Sequence, residues 1–155
     1  LFVGRRREYT HQVSNPLFTP ETLLHDGGFF RVWRKGPAVG VDIRGELNDA
    51  RNPVWRAWLD AHFVAHGMPR FIALDVHEAI PAASLPKRMQ TAAWSRTTLL
   101  RIEQGSVFLG DAARVSLTVG AILRIAGMTN VHLRTNHVQF DDDAASYVHG
   151  TRTEH

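Results

Sequence analysis

The chain has 155 residues, of which 44% are hydrophobic and 21% charged, and a formal net charge of +3. That size and balance describe one folded domain of about 100–200 residues and exclude a disordered polyelectrolyte. The absence of cysteine excludes disulfides, thiolate zinc sites, iron–sulfur ligation and cysteine nucleophiles, and no apolar run approaches the roughly 20 residues of a membrane span.

Residues 1–4 are too short for the apolar core of a signal peptide, although Arg5, Arg6 and Arg7 follow them. These points predict a soluble cytoplasmic protein. All the basic residues are Arg except Lys35 and Lys87, and they are scattered along the chain. A nucleic-acid binder gathers its cations on one stripe with interleaved aromatics, so nucleic acid is not an expected partner.

Residues 1–27 read as an irregular lead-in, punctuated by Pro16, Pro20 and Gly27, with room for one helical turn at 20–24. From Gly28 the pattern changes. Residues 29–34 are aromatic and β-branched, Lys35-Gly36-Pro37 supplies a turn, and residues 39–43 alternate apolar with polar, which predicts an antiparallel hairpin. A helix follows, capped by Asn52 with Pro53 in its first position, carrying Trp55, Trp58, Leu59, His62 and Phe63 at three- and four-residue steps and ending at Gly67. Residues 71–74 are continuously apolar, the signature of a strand buried on both faces, and the strand is expected to end at Asp75.

A loop over 76–83 leads to a second helix capped by Ser84, with Leu85, Met89, Ala92, Ala93, Arg96, Leu99 and Leu100 tracing its inward face. Residues 106–109 form the next strand, Asp111 opens a third helix that ends at Gly127, residues 131–134 form the last strand, and 137–148 a closing helix. Strands alternating with helices imply right-handed parallel crossovers. The prediction is an α/β domain over 28–149: a mixed sheet of about five strands, with an N-terminal antiparallel hairpin and then parallel β-α-β units, covered by about four helices. Residues 150–155 are left as a tail.

This order resembles the STAS superfamily, the fold of bacterial anti-sigma-factor antagonists. The resemblance covers residues 28–149 and rests on three segments in sequence: Val41-Asp42-Ile43-Arg44-Gly45-Glu46-Leu47, like the family's second strand; Phe71-Ile72-Ala73-Leu74-Asp75-Val76, like its central strand; and Ile122-Leu123-Arg124-Ile125-Ala126-Gly127-Met128, like its Leu-x-x-x-Gly-Leu helix end. The family opens its next helix with Asp-Ser-Ser/Thr-Gly, whose first serine is a phosphorylation switch. Here that stretch is Ala83-Ser84-Leu85-Pro86, which keeps only the serine. A divergent branch, the STAS-like proteins grouped with SEC14-related ones, also lacks the motif and is associated with small apolar ligands. The resemblance implies a non-catalytic regulatory domain in signal transduction, whose partner is an anti-sigma factor or a related kinase.

Ser84 has two readings. Its hydroxyl can cap the helix by accepting a first-turn N–H, a bond of about 1 kcal/mol. A phosphate at Ser84 would sit at the positive helix end near Lys87 and Arg88. His62 and His66 stand four apart, a metal-ligand spacing, but with no third ligand in the pattern they read as a surface or rim pair. Asp75, His77 and Glu78 suggest an acid/base group at a strand end. No nucleophile motif, glycine-rich phosphate loop or paired acidic cluster accompanies them, so Asp75 reads as an acceptor for loop N–H groups. Trp55, Trp58 and Trp94 read as core, with any exposed indole a partner surface. Asp141–Asp143 read as solvated charge near the start of the closing helix.

The expectation is therefore a protein that is not an enzyme and needs no metal or cofactor. It binds a partner protein through the loop 76–86 and the following helix start, with Asp75, His77, Glu78, Ser84, Lys87 and Arg88 as contact residues and Ser84 as the phosphorylation site. The alternative, of another class, is a domain that binds or senses a small, lipid-like apolar ligand.

Overall fold

Alternation along the strands sets the architecture. The computed structural model describes residues 15–111 and 113–149, so most of the lead-in (residues 1–14, with the Arg5–Arg7 cluster) and the tail 150–155 lie outside the described residues. The strands are β1 (Leu23–Asp26), β2 (Phe30–Lys35), β3 (Ala38–Leu47), β4 (Phe71–Pro81), β5 (Gln104–Phe108) and β6 (Val131–Arg134). The α-helices among the described residues are α1 (Asn52–His66), α2 (Leu85–Thr98), α3 (Ala113–Ala126) and α4 (His137–Val148), with single 3-10 turns at Pro20–Thr22 and Leu99–Arg101. All six strands join one sheet in sequential order, antiparallel from β1 to β3 and parallel from β3 to β6. The fold is α/β, as the sequence predicts. No helix among the described residues is long and apolar enough to cross a membrane.

Right-handed crossovers that step always in one direction put their helices on one face. Val39, Val41 and Ile43 of β3, Ile72 and Leu74 of β4 and Val107 of β5 point there and pack with Trp55, Leu59 and Phe63 of α1, Trp94 of α2 and Val115 of α3. The alternate positions, Ala38, Phe71, Ala73 and Phe108, face the other way and meet Phe140, Ala144 and Tyr147 of α4. Each large side chain so buried contributes about 1.5–3 kcal/mol. Gly127 ends α3 at φ 70°, with the Met128 N–H reaching Leu123 O and the Gly127 N–H reaching Arg124 O, the paired bonds of a Schellman turn.

Several expectations are corrected. The segment ahead of Gly28 is not merely irregular: Leu17 and Phe18 belong to the α4-side core, and residues 23–26 form β1. Gly40 makes room for them, since a Cβ there would lie 2.9 Å from the Phe18 ring. β1 leaves no alternation to read because it is an edge strand with little buried surface.

The strand expected to end at Asp75 runs on to Pro81, so the loop expected at 76–83 shrinks to residues 82–84. Asp42 pairs with Asp75 and Arg44 with Glu78, so β4 bulges by one residue and then resumes pairing with the end of β3. Pro81 is tolerated because β5 has already stopped opposite Asp75, leaving that side of β4 without a neighbouring ladder.

Helix α2 is turned differently from the expected face. It buries Thr91, Ala92, Trp94, Ser95 and Thr98, whereas Leu85 is 67% and Met89 44% exposed. Asp141 and Asp143 are buried, not solvated. Asp141 accepts from Asn15 Nδ2, and Asp143 accepts from Ser106 Oγ and from Arg134, tying α4 to the sheet.

Candidate functional site

The six residues expected to form one contact surface fall into two groups separated by the sheet. Asp75, His77 and Glu78 lie on the α4 face, at the carboxyl end of the parallel strands. Because of the β4 bulge, the consecutive residues His77 and Glu78 both serve this face. Asp75 is buried and accepts from the His77 backbone N–H at 3.2 Å, and its Oδ1 lies 2.5 Å from His77 Nδ1. His77 Nε2 stands 3.9 Å from Glu78 Oε1, and the ring packs on Phe108. Gly110 permits this placement: it holds φ 63°, and a Cβ there would approach His77 Cβ to 3.0 Å.

Beside this pair is a second buried carboxylate. Asp42 accepts from Arg31 Nη2 and from Arg44 Nε, both at 2.8 Å, and Arg44 also lies 3.8 Å from Glu78. Burial disfavours the His77 imidazolium, but the Asp75 hydrogen bond and the negative charges of Asp75, Glu78 and Asp42 outweigh it, so the ring holds its proton above the ordinary histidine range. Asp75 thus accepts a backbone N–H two residues on, as the sequence suggests, and also orients the His77 ring. The Arg31–Asp42 partnership was missed at the level of sequence. It follows from the two-residue Gly36-Pro37 turn, which pairs Lys35 with Ala38 and, four steps back, Arg31 with Asp42.

Ser84, Lys87 and Arg88 lie at the start of α2. Ser84 is exposed and makes no side-chain cap, which corrects that expectation. Its backbone N–H donates to Asp49 Oδ1 at 2.6 Å. Hydrogen bonding from Ser84, with the nearby Lys87 charge, holds the Asp49 carboxyl below the usual range. Arg88 Nε donates to Ala83 O at 2.9 Å.

The expected cap Asn52 also does something else. It lies within α1, buried, and its Oδ1 accepts from Arg56 Nη2 and Thr91 Oγ1, joining α1 to α2. His62 and His66 have ring centroids 4.9 Å apart, but His62 Nε2 lies 3.1 Å from Arg34 Nη1. Burial, then the positive Arg34 and His66, push the His62 pKa down, an environment opposed to a cation. Among the described residues no group of three or more His, Asp or Glu is placed to hold a metal. Trp58 is half-buried and stacks between His25 and His62.

On the three-helix face lies a cavity of about 110 Å³, walled almost wholly by apolar atoms. Ile43, Leu74 and Val107 form its sheet side, and Trp55, Trp94 and Leu123 its helix side. Arg88 and Thr91 also line it, so one face of α2 meets the cavity while Leu85 and Met89 face solvent. No protein-family model matches the sequence, and no curated protein shows significant similarity to it.

Proposed function

We propose that this is a non-catalytic protein-interaction domain that docks a partner through the beginning of α2 and the end of β4. One observation carries the reading: α2 packs on the domain through Thr91, Ser95 and Thr98 and turns Leu85 and Met89 outward. Large apolar side chains one helical turn apart, both turned to solvent, make a contact surface where the STAS resemblance also places the switch. Lys87 at its margin favours a partner with an acidic rim around an apolar centre. A phosphate on Ser84 would meet the Asp49 carboxylate and strain its bond with the residue 84 backbone, so modification would loosen this connection.

The experiment is a crosslinking pull-down from the native host, comparing wild type with the Leu85→Asp, Met89→Asp double variant after circular dichroism has shown both folded. Partners held by wild type and lost by the variant support the reading. Equal recovery overturns it.

A second reading, that the domain binds a small apolar ligand, is favoured by the cavity between the sheet and the helices.

A further inference from the structure

Among the described residues, the cavity wall carries one fully enclosed polar atom without a hydrogen-bond partner. Asn52, Thr91 and Ser95 line the cavity but are bonded within the fold: Thr91 Oγ1 donates to Asn52 Oδ1, and Ser95 Oγ to Thr91 O. Trp55 also lines it, is only 5% exposed, and has an enclosed indole N–H with no acceptor among the described residues. An enclosed donor left without an acceptor is destabilising, and buried N–H groups are rarely left so. Trp55 is held by an edge contact with Trp94, 5.2 Å between ring centroids, whose own N–H is taken by Asp60 at 2.7 Å.

We infer that this cavity binds a small, uncharged, apolar molecule bearing one hydrogen-bond acceptor, and that the Trp55 indole N–H meets that acceptor. The inference rests on the ligand-binding reading of the domain and adds the ligand's chemical class. The volume is near that of an engineered apolar cavity of about 150 Å³ that admits benzene, so the ligand body is a ring or branched chain of about six heavy atoms. The wall is almost wholly apolar and its one cation, Arg88, already donates Nε to Ala83 O, so the acceptor that suits the Trp55 N–H is an uncharged carbonyl or ether oxygen.

The test uses the full chain and three probes: cyclohexanone, methylenecyclohexane (the same shape without the oxygen) and cyclohexanecarboxylate. Proton–nitrogen NMR follows the assigned Trp55 indole N–H, and proton–carbon NMR follows the methyl groups of Leu74 and Val107. Cyclohexanone is expected to shift both sets and to move the indole proton downfield, while the hydrocarbon shifts the methyl groups alone. Trp55→Phe is expected to weaken cyclohexanone by about tenfold relative to methylenecyclohexane. The indole shift in the unmodified protein stands as the test even if that variant fails to fold. If no probe shifts the methyl groups, the ligand-binding reading itself fails. If the ring probes enter but cyclohexanone leaves the indole proton unmoved, or the carboxylate binds more tightly than the ketone, cavity binding stands and the proposed ligand class is overturned.

Discussion

Asp143 and Arg134 meet where α4 crosses the last strand, through hydrogen bonds of 2.8 Å from Nε and 3.1 Å from Nη2. The same Asp143 Oδ2 accepts from Ser106 Oγ at 2.8 Å, and Ser106 is fully buried. One carboxylate therefore joins α4, β5 and β6 on the face that carries only one of the four described helices.

Asp143→Ala is expected to destabilise the protein by about 3 kcal/mol, because it leaves a buried hydroxyl and a largely enclosed guanidinium without their acceptor. Urea unfolding monitored by circular dichroism measures this. A loss below about 0.5 kcal/mol would show that water replaces the carboxylate without penalty.

His77 predicts a pH dependence of definite sign. Its pKa is raised in the folded protein, so its contribution to stability is fully present below the unfolded value of 6.5 and is lost as pH rises through the folded value. The stability advantage of wild type over His77→Gln is expected to be larger at pH 5.5 than at pH 8.5, about one unit below and two above the unfolded value. Denaturant titrations of both proteins at the two values measure it, and a gap that widened toward alkaline pH would contradict the Asp75–His77 geometry.

The orientation of α2 separates two leucines that helical spacing had placed together. Leu99→Ala is expected to cost about 2–5 kcal/mol because Leu99 is 2% exposed and packs in the three-helix core. Leu85→Ala is expected to change stability by less than about 0.5 kcal/mol. Chemical denaturation of the two variants decides the matter: comparable losses would mean that Leu85 is packed inside.

At Ser84 the prediction concerns charge. Ser84→Asp sets a second carboxylate beside Asp49, whereas Ser84→Ala keeps the backbone bond to it. The melting temperature of Ser84→Asp is expected below that of Ser84→Ala in low salt, with the gap closing at about 1 M salt, where exposed charges are screened within about 3 Å. A higher melting temperature for Ser84→Asp would favour stabilisation by the helix terminus and Lys87.

Legibility in the sequence followed the strength of the local signal. β6 and α4 have the expected bounds, because a short alternating strand and a helix behind Asn136 are both locally punctuated. The continuation of β4 was not legible: pairing with the far end of β3 after a bulge is a contact between distant segments, and nothing local marks it. The candidate site was half legible. Asp75, His77 and Glu78 are neighbours in sequence and in space, while Asp42 and Arg31 join them only through strand register. Asp49 lies 35 residues from Ser84, and the bond between them required the α1 and α2 ends to converge.

What the sequence by itself determined is the class of fold, since the periods of its apolar residues specify strands and helices and their order specifies parallel crossovers. Only the tertiary structure decided which side each helix turns inward. For α2, Thr91 is drawn in by Asn52 and Trp94 by Asp60, and those two bonds rotate Leu85 and Met89 into solvent. Apolar spacing alone cannot report that outcome, because a helix settles on the face that satisfies both its packing and its buried polar groups.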